Sequence, residues 1–451
     1  MLKDPLKAVT PGHGDPFPDT YWAATAGEEP ENDGPVSTDM DVDVAIIGGG
    51  YTGLSAAYHL ARDCGVKPVV LEANRPAWGC SGRNGSFVMS TVGRYGYAER
   101  LERWGTETSI EMFKEGKKAL ATVHALIADG GIDCDAWPEG LLTLAHRKSR
   151  IAGLEKDFRA LEDIYGVKVE LLDGKAIAEN HFRGTECHAA LRTPDNFTVH
   201  PLKLAFGILD MARQAGARVH SASPVGSWSK DGKDHILQTP GGRVRAKSVI
   251  IAGNGYTFDG LHASLRGKCL PVLSNIVVTR PMSPEEKQEA AFVSTDSMVE
   301  TRRMSSYYRR LPDDRVMLGG RGPITANDKV LAVHRQKLLD IVRIKFPALK
   351  NITADYFWAG WINVSYDFMP HIHCVEDDPS VLYAGGYTGK GVAFSLHAGK
   401  LLAQTYSGDL KTGPDSILPF LTPLPRYPLA AFRRLGQRAM FAWYRYLDER
   451  D

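Results

Sequence analysis

The sequence predicts an α/β fold of mixed α+β character, in which a discontinuous Rossmann-like domain is interleaved with a second domain built on a mixed β-sheet. A glycine-rich turn joins an apolar strand to an amphipathic helix within residues 43–63, as at the start of such a domain. The strand–helix rhythm returns near residues 201–256 and 380–404. At 451 residues the chain is too long for one ordinary core, so two domains are expected.

We expect four segments along the chain. The first is rich in Pro, Gly, Asp and Glu and is predicted to be an extended lead-in that docks through Tyr21 and Trp22. The last alternates arginines with aromatic residues, and we favour a helix packed on the protein's own body over a membrane or partner surface. The boundaries are 1–40 for the lead-in; 41–97, 190–270 and 350–411 for the nucleotide-binding domain; 98–189 and 271–349 for the substrate domain; and 412–451 for the tail.

The first motif, DVAIIGGGYTGLSAAYHLARD, keeps the G-x-G-x-x-G spacing. Gly48 allows a tight turn, Gly50 lets a pyrophosphate approach the backbone, and Gly53 lets the helix pack close to the strand. The helix N-terminus offers unpaired N–H groups and a partial positive charge to that anion. The next strand, PVVLEA, ends in Glu72, about where a ribose 2′-OH partner is expected. Dinucleotide binding follows, with NAD and FAD both open.

Two further loops add to this site. Residues 78–86, WGCSGRNGS, combine small residues with side chains that donate to phosphate or flavin oxygens. Residues 384–400, AGGYTGKGVAFSLHAGK, depart from a phosphate-binding P-loop at Ala384 and Gly391, so a nucleotide triphosphatase is not expected. A helix beginning near Gly389 would aim its N-terminal amides at a negative group, such as the edge of a reduced flavin, and Lys390 would add a positive charge.

The spread of nucleotide-domain elements over three distant places favours a large, deeply embedded cofactor, hence FAD. A formal net charge of +1 gives no reason to invoke nucleic acid. Six scattered cysteines argue against a zinc site and a disulfide framework, and suit a reducing compartment. The N-terminus lacks the apolar core of a signal peptide, and no stretch has the ~20 apolar residues that a spanning helix needs. We therefore expect a cytoplasmic protein without bound metal or transmembrane segment.

Taken together, the motifs resemble the D-amino-acid oxidase (DAO) superfamily of FAD-dependent oxidoreductases, in particular its γ-glutamylputrescine oxidoreductase-like amine oxidases. The likeness extends over nearly the whole chain. The matching stretches are DVAIIGGGYTGLSAA, GCSGRNGS, TVHPLKLA, AGWINVSYDFMPHI and GGYTGKGVAFS, with YWAATA near the start and RYPLAAFRRLGQRAMFAWYRYLD near the end.

The resemblance implies a set of FAD-binding residues around the three loops. The pyrophosphate, ribose, adenine and flavin would be held by Gly48, Gly50, Tyr51, Thr52, Gly53, Glu72, Ala73, Cys80, Ser81, Arg83, Asn84, Gly85, Val225, Gly386, Thr388, Gly389, Lys390 and Gly391. Related sarcosine oxidases tether FAD through a cysteine before the third loop. The corresponding segment here, WAGWINVSYDFMPHI, has none, and Cys374 lies beyond it, so non-covalent FAD is expected.

The resemblance further implies oxidation of a C–N bond in a small amine or amino acid. Hydride passes from the α-carbon to flavin N5, the imine is hydrolysed, and O₂ reoxidises the flavin, giving H₂O₂. The alternatives are a flavin dehydrogenase that reduces a quinone or an electron-transfer partner, a non-catalytic flavin-binding protein and, from the glycine motif alone, an NAD dehydrogenase. The specific substrate stays open.

The candidates for catalysis lie on two strands and the third loop. An amine oxidase needs a site that positions and attracts the amine, and aromatic walls or a carboxylate meet that need. We select Tyr308 from the strand SSYYRRL, Trp361 and Asp367 from the segment before the third loop, and Lys390. Strand alternation puts Tyr308 on the face opposite Tyr307, so only one of the two faces the flavin.

Overall fold

The computed structural model describes residues 2–138 and 140–450. Its helices are α1 (Tyr21–Thr25), α2 (Tyr51–Cys64), α3 (Tyr97–Asp129), α4 (Ile151–Arg159), α5 (Gly174–Asn180), α6 (Pro201–Gln214), α7 (Pro284–Ala290), α8 (Asp328–Lys345), α9 (Val392–Ser407) and α10 (Arg433–Arg450). The long α3 is kinked at Gly105, which has a φ of 75°. In the described ranges, no helix is both long and apolar enough to cross a membrane.

The strands form three sheets, and the first is built around parallel pairs. The strands are β1 (Met40–Ile47), β2 (Val69–Leu71), β3 (Phe87–Val88), β4 (Trp137–Pro138), β5 (Leu141–Leu144), β6 (Glu170–Asp173), β7 (Ala189–Thr193), β8 (Phe197–Thr198), β9 (Arg218–His220), β10 (Ser227–Asp231), β11 (Asp234–Thr239), β12 (Gly242–Ile251), β13 (Leu270–Pro281), β14 (Ser297–Glu300), β15 (Ser306–Arg310), β16 (Arg315–Arg321), β17 (Ala354–Val364), β18 (His371–Val375) and β19 (Asp378–Gly385). The first sheet runs β10-β11-β12-β1-β2-β9, with β19 also parallel to β12 and β18 pairing with β19.

The central parallel strands of the first sheet are continuous apolar runs, without the alternation of apolar and polar residues that marks a half-exposed strand. Val44, Ala45 and Ile46 of β1 are fully buried. Val44 and Ile46 pack in a cluster with α2, α6 and α9, whereas Ala45, on the other face, packs with strand and loop residues such as Val36 and Leu237. Helix α2 packs against α6 and α9, so the three nucleotide-domain pieces of the sequence meet in space. Close packing of α2 and α9 requires Gly399, since a Cβ there would lie 2.6 Å from the Ala56 backbone nitrogen.

The second sheet runs β17-β13-β16-β15-β14-β5-β7-β6 and is antiparallel except for the parallel pair β14–β5. A small third sheet has the order β3-β8-β4. The prediction of a mixed α/β fold is confirmed. The predicted domain boundaries stay a prediction, although β7 and β17 belong to the second sheet while most of their residues fall in segments assigned to the nucleotide-binding domain.

Both ends of the chain dock on the body. Trp22 on α1 is buried and donates its indole N–H to the Asn84 carbonyl (2.9 Å). At the other end, Phe441 of α10 packs with Leu270 and Val272 of β13. The lead-in therefore docks through its aromatic residues as predicted, and the tail is a helix packed on the protein's own body.

Candidate active site

A cavity of about 640 Å³ lies where β1 and β2 end and extends under the second sheet. Its position follows from the topology, because ligands of open parallel sheets bind outside the carboxyl ends of the strands. Ile47 at the end of β1 and Gly48 after it line the wall, as do Leu71 at the end of β2 and Glu72 after it. The volume is that of a site for a large cofactor or ligand.

The glycine motif forms the floor of this cavity. Gly48 has a φ of 111°, and a Cβ there would lie 3.0 Å from backbone atoms of Ala252 and Gly253. A Cβ on Gly50 would lie 2.9 Å from Ser81 Oγ, so a side chain would fill the cradle. Gly53 does not line the cavity: its hydrogen faces the Gly48 carbonyl oxygen, which any Cβ would overlap. It therefore acts through helix–strand packing, as its place in the motif predicts.

The start of α2 points its backbone amides at the same space. Gly50 is the N-cap and provides no side-chain cap, while the Tyr51 N–H donates to Ser81 Oγ (2.8 Å). Thr52 and Tyr387 hydroxyls are 2.7 Å apart, which ties this helix to the third loop. An uncapped helix N-terminus of this length offers both donors and a partial positive charge to a phosphate.

Glu72 and its neighbours form the end of the cavity where the sequence predicts the adenosine ribose. The carboxylate is fixed by the backbone N–H groups of Gly49 (2.7 Å) and Asn74 (2.9 Å), which leaves further lone pairs for a ribose hydroxyl. Burial raises the pKa of Glu72, and the backbone donors oppose this shift. Ala73 and Val225 line the same end.

The second loop brings predicted flavin contacts into the wall. Cys80, Ser81, Arg83, Asn84 and Gly85 all line the cavity. Arg83 donates to the carbonyls of Trp78 (2.6 Å) and Ala359 (3.2 Å), while its buried Nη2 has no partner among the described residues. A buried guanidinium nitrogen without an acceptor fits an anionic or carbonyl oxygen of a bound cofactor.

The third loop closes the cavity from the other side. Thr388, Gly389, Lys390 and Gly391 line it, and α9 begins directly after them with no side-chain cap at Gly391. Thr388 has a φ of 55° and donates its hydroxyl to the Gly386 carbonyl (2.8 Å), so the turn is held internally. Gly386 itself, with a φ of 77°, shapes this turn and does not line the cavity.

Three of the four catalytic candidates lie away from the cavity. Tyr308 is fully buried beside Phe182 and Phe346, because β15 presents the preceding residue, Tyr307, to the cavity. Trp361 packs under the Arg434 guanidinium, and Asp367 pairs with His371 (3.0 Å). The expectation that these three side chains face the substrate is therefore corrected. Lys390 is the candidate that does line the cavity.

Four residues outside the predicted set surround the part of the cavity that contains Lys390, called here the chamber. Tyr307 lines the chamber, and its ring packs so closely on Gly85 that a Cβ there would lie 2.6 Å from it. Arg94, Arg321 and Asp157 line it too, from a loop, the end of β16 and helix α4. Because side chains alternate along the strand SSYYRRL, only one of Tyr307 and Tyr308 can face the cavity. No local sequence pattern shows that Arg94, Arg321 and Asp157 meet there.

The chamber has an excess of positive charge. In the ranges 2–138 and 140–450, no carboxylate is within salt-bridge distance of Arg94, Arg321 or Lys390. Burial, reinforced by Arg94, lowers the pKa of Arg321 to about 9, so the guanidinium stays charged at neutral pH. Burial and the neighbouring cations lower the pKa of Lys390 to about 8. Three cations without a salt bridge among the described residues leave an excess of positive charge that suits an anion.

Asp157 is the one acidic group placed among them in the described part of the chamber. Its Oδ1 accepts the Ala98 backbone N–H (2.8 Å), and burial raises the pKa of the carboxyl, opposed by that bond and by the more distant Arg100 and Lys390. Glu300 also lines the cavity, but it is bound by Lys345 and Arg302. Asp157 is therefore available to receive a cationic ligand group.

The rim of the chamber is a loop at residues 301–305, called here the rim loop. Thr301, Arg302 and Ser305 line the cavity. The backbone N–H groups of the other two loop residues, Arg303 and Met304, donate to the two carboxylate oxygens of Asp448 on α10, each at 2.9 Å. The C-terminal helix thus fixes the edge of the chamber.

The shape and polar groups of the cavity fit an FAD molecule. It combines a glycine cradle, two uncapped helix N-termini, an acidic residue at the ribose position and an orphan arginine nitrogen in one continuous wall. A family model described as FAD dependent oxidoreductase matches residues 43–405 of the chain. The chain belongs to this DAO family.

Similar DAO proteins match over almost their full length. The γ-glutamylputrescine oxidoreductase of Escherichia coli (strain K12) is 31% identical over 442 residues, which are 96% of this chain and 98% of that one. The glycine oxidase of Geobacillus kaustophilus has a crystal structure that matches with a TM-score of 0.69 at 20% identity, over 86% of this chain and 99% of that one. Iminodiacetate oxidase from Chelativorans sp. BNC1 matches with a TM-score of 0.67 at 21% identity, over 85% and 100%.

The family assignment decides several predictions. The resemblance to FAD-dependent amine oxidases is confirmed, and this DAO protein is an FAD-dependent amine or amino-acid oxidoreductase. FAD, rather than NAD, is the cofactor of the family. The individual FAD contacts given above stay predictions that agree with the shape of the cavity.

Proposed function

We propose that this DAO protein oxidises the C–N bond of a small amine that also carries a carboxylate. The observation that carries the proposal is a set of three cations in the chamber, Arg94, Arg321 and Lys390, none of which has a salt bridge to the described residues. A carboxylate would supply the missing negative charge, and a guanidinium matches its planar geometry.

Arg321 is the proposed anchor of the carboxylate. It ends β16 beside the third loop, where a Cβ on Gly389 would lie 3.6 Å from its Nη1, so it reaches over the position proposed for the flavin edge. Arg94 also lines the chamber and is held by the Arg303 carbonyl and the Tyr444 ring. Positioning of this kind is what hydride transfer requires, because it fixes the reacting carbon at one distance and angle.

Asp157 is the proposed partner of the amine. Its carboxylate would attract the ammonium form of the substrate on arrival, and a bound cation would in turn favour the ionised carboxylate. The nitrogen must lose a proton before its carbon can give up hydride. Asp157 is the chamber group placed to hold that proton, since burial raises the pKa of its carboxyl. FAD, when bound, accepts the hydride.

The names of the similar proteins support an amine with a carboxylate. Glycine, iminodiacetate and γ-glutamylputrescine each contain an oxidisable amine and at least one carboxylate. The low identity of the two solved structures supports the fold alone, so the substrate class rests on the cavity. We include γ-glutamylputrescine as one compound to test.

We propose that FAD is held non-covalently. Cys80 lines the cavity, but its thiol donates to the Trp361 carbonyl (2.9 Å), and burial raises its pKa to about 12, which suppresses the reactive thiolate. Cys374 lies on β18, outside the cavity lining, with its thiol directed to the Pro379 carbonyl. Acid precipitation of the protein should therefore release all of the flavin into the supernatant.

The proposed electron acceptor is O₂, with H₂O₂ as product, in a cytoplasmic enzyme. The competing possibility is a dehydrogenase of the same fold that passes electrons to a quinone or a protein. Peroxide formed per substrate consumed separates the two: a ratio near one indicates the oxidase, and a ratio near zero with fast dye reduction indicates the dehydrogenase.

Anaerobic bleaching of the flavin tests the proposal. Glycine, N-methylglycine, iminodiacetate and γ-glutamylputrescine are compared with putrescine and with the amides of the first three compounds. We expect rapid bleaching by at least one carboxylated amine and at least tenfold slower bleaching by its amide. Equal rates for acid and amide would contradict carboxylate recognition, and a flavin that none of these amines bleaches would contradict the amine oxidation as well.

A further inference from the structure

The C-terminal helix α10 buries polar residues and exposes apolar ones. Its inward face carries Arg433, Gln437, Phe441 and Asp448. Arg433 pairs with Asp259 (2.7 Å), and Asp448 accepts the two rim-loop amides. Two of the inward polar groups, Arg433 and Asp448, therefore bond to the body and hold the helix in this rotation.

The opposite face of α10 is an apolar stripe exposed to solvent. We call it the outward stripe: Leu435, Ala439, Ala442, Trp443 and Tyr446, at helical spacing. Trp443 and Tyr446 stack at 5.5 Å between ring centroids and are 55% and 43% exposed. Of thirteen large apolar side chains that the described residues leave exposed, five lie between residues 429 and 446. This clustering marks a surface that another phase or molecule covers.

The charges around the stripe indicate what covers it. Residues 426–450 contain six arginines and two acidic residues, a net charge of +4 in a chain whose total is +1. Arg438, Arg445 and Arg450 are exposed along the stripe, with Glu449 as the one exposed acid of the helix. Two copies of this face would repel each other, whereas an anionic surface would attract it.

We propose that α10 is a membrane-surface anchor that lies in the headgroup region of an anionic lipid bilayer. Aromatic and leucine side chains of the outward stripe would enter the acyl boundary, and the flanking arginines would contact lipid phosphates. Leu429 and Phe432, exposed just before the helix, extend the inserted edge. The enzyme would bind reversibly and on the surface, because one short apolar stripe does not give permanent anchoring.

Sedimentation with vesicles tests the anchor on the FAD-loaded full chain. We expect the protein to pellet with phosphatidylcholine vesicles that contain phosphatidylglycerol, to stay in solution with phosphatidylcholine alone, and to dissociate in 1 M salt, where the Debye length is ~3 Å. The double variant L435S/W443S should lose at least nine-tenths of the binding. Removing one charge with R438Q should weaken partition by about fivefold.

The matched control is V293S/I344S, which removes two equally exposed apolar side chains elsewhere on the surface. It should bind vesicles like the unchanged protein, and all variants should retain flavin. Failure to pellet with anionic vesicles, or equal binding by L435S/W443S, would overturn the proposal. Sedimentation velocity gives the competing result directly: a dimer that L435S/W443S converts to monomer would show that a second copy covers the stripe.

Discussion

Replacing Arg321 by methionine is expected to remove carboxylate recognition while leaving the fold intact. The guanidinium lies at the end of β16 in the chamber wall, with no salt bridge in the described ranges and a pKa lowered to about 9 by burial and Arg94. Methionine keeps much of the side-chain length and apolar stem. Since Arg321 pairs with no carboxylate among the described residues, its replacement leaves none of them unpaired.

The size of the effect follows from the interaction that is lost. Two unit charges 4 Å apart at an effective dielectric constant of ~20 attract by about 4 kcal/mol, and desolvation of the substrate carboxylate offsets part of this. A net loss of about 3 kcal/mol corresponds to roughly a 100-fold fall in kcat/KM, at about 1.4 kcal/mol per tenfold change. For the corresponding amide, which carries no negative charge, we expect a change of less than about threefold.

Steady-state kinetics with a matched acid and amide measure this difference. Arg315→Met is the control on the same strand, because Arg315 pairs at the surface with Asp313 and Asp355, outside the cavity. It should leave both substrates unaffected. If Arg321→Met slowed the acid and the amide by the same factor, the loss would be structural and the assignment of Arg321 as carboxylate anchor would be refuted.

Three further predictions concern the cradle, the lysine and the rim. Gly53→Ala should lower the flavin-to-protein absorbance ratio severalfold, because the new Cβ overlaps the Gly48 carbonyl oxygen. The control Gly436→Ala, where a Cβ would meet nothing within 4 Å, should keep the ratio of the unchanged protein. Equal ratios in the two variants would contradict the packing role of Gly53. Lys390 loses its positive charge as pH rises through about 8, so inhibition by a carboxylate without an amine should weaken above that pH. In Lys390→Met the dependence of this inhibition on pH should become flat. A profile unchanged in Lys390→Met would exclude the lysine as its source. Asp448→Ala removes the acceptor of two rim-loop N–H groups, so it should free the rim loop and raise KM a few-fold at unchanged flavin content. The control Glu449→Ala should have no effect. Matching kinetics in the two variants would show that the rim loop does not depend on α10.

The FAD cradle could be predicted because its parts are close together in sequence. Gly48, Gly50 and Gly53 fall within six residues, and Glu72 follows at the end of the next strand. Each glycine has a local geometric reason, a positive φ or a missing Cβ, which residue type alone reports. The structure places these positions at the cavity, or directly beneath it, as the motif requires.

The substrate chamber could not be predicted in the same way. Both faces of β15 are covered, so the pattern of SSYYRRL gives no preference between Tyr307 and Tyr308, and the structure places Tyr307 at the cavity. Asp157 and Arg321 are far apart in sequence and meet only because helix α4 and strand β16 border one cavity. Asp367 carries the expected charge, but its side chain pairs with the histidine four residues later.

The central claim is that bound FAD takes electrons from an amine that the chamber holds by its carboxylate. An anaerobic titration tests it most directly, following the visible flavin band while γ-glutamylputrescine, iminodiacetate, glycine or N-methylglycine is added. We predict full bleaching at one equivalent by at least one of these acids, and at least tenfold slower bleaching by the amide of that acid. A flavin that stays oxidised with all the acids, or that acid and amide bleach equally fast, would contradict the account.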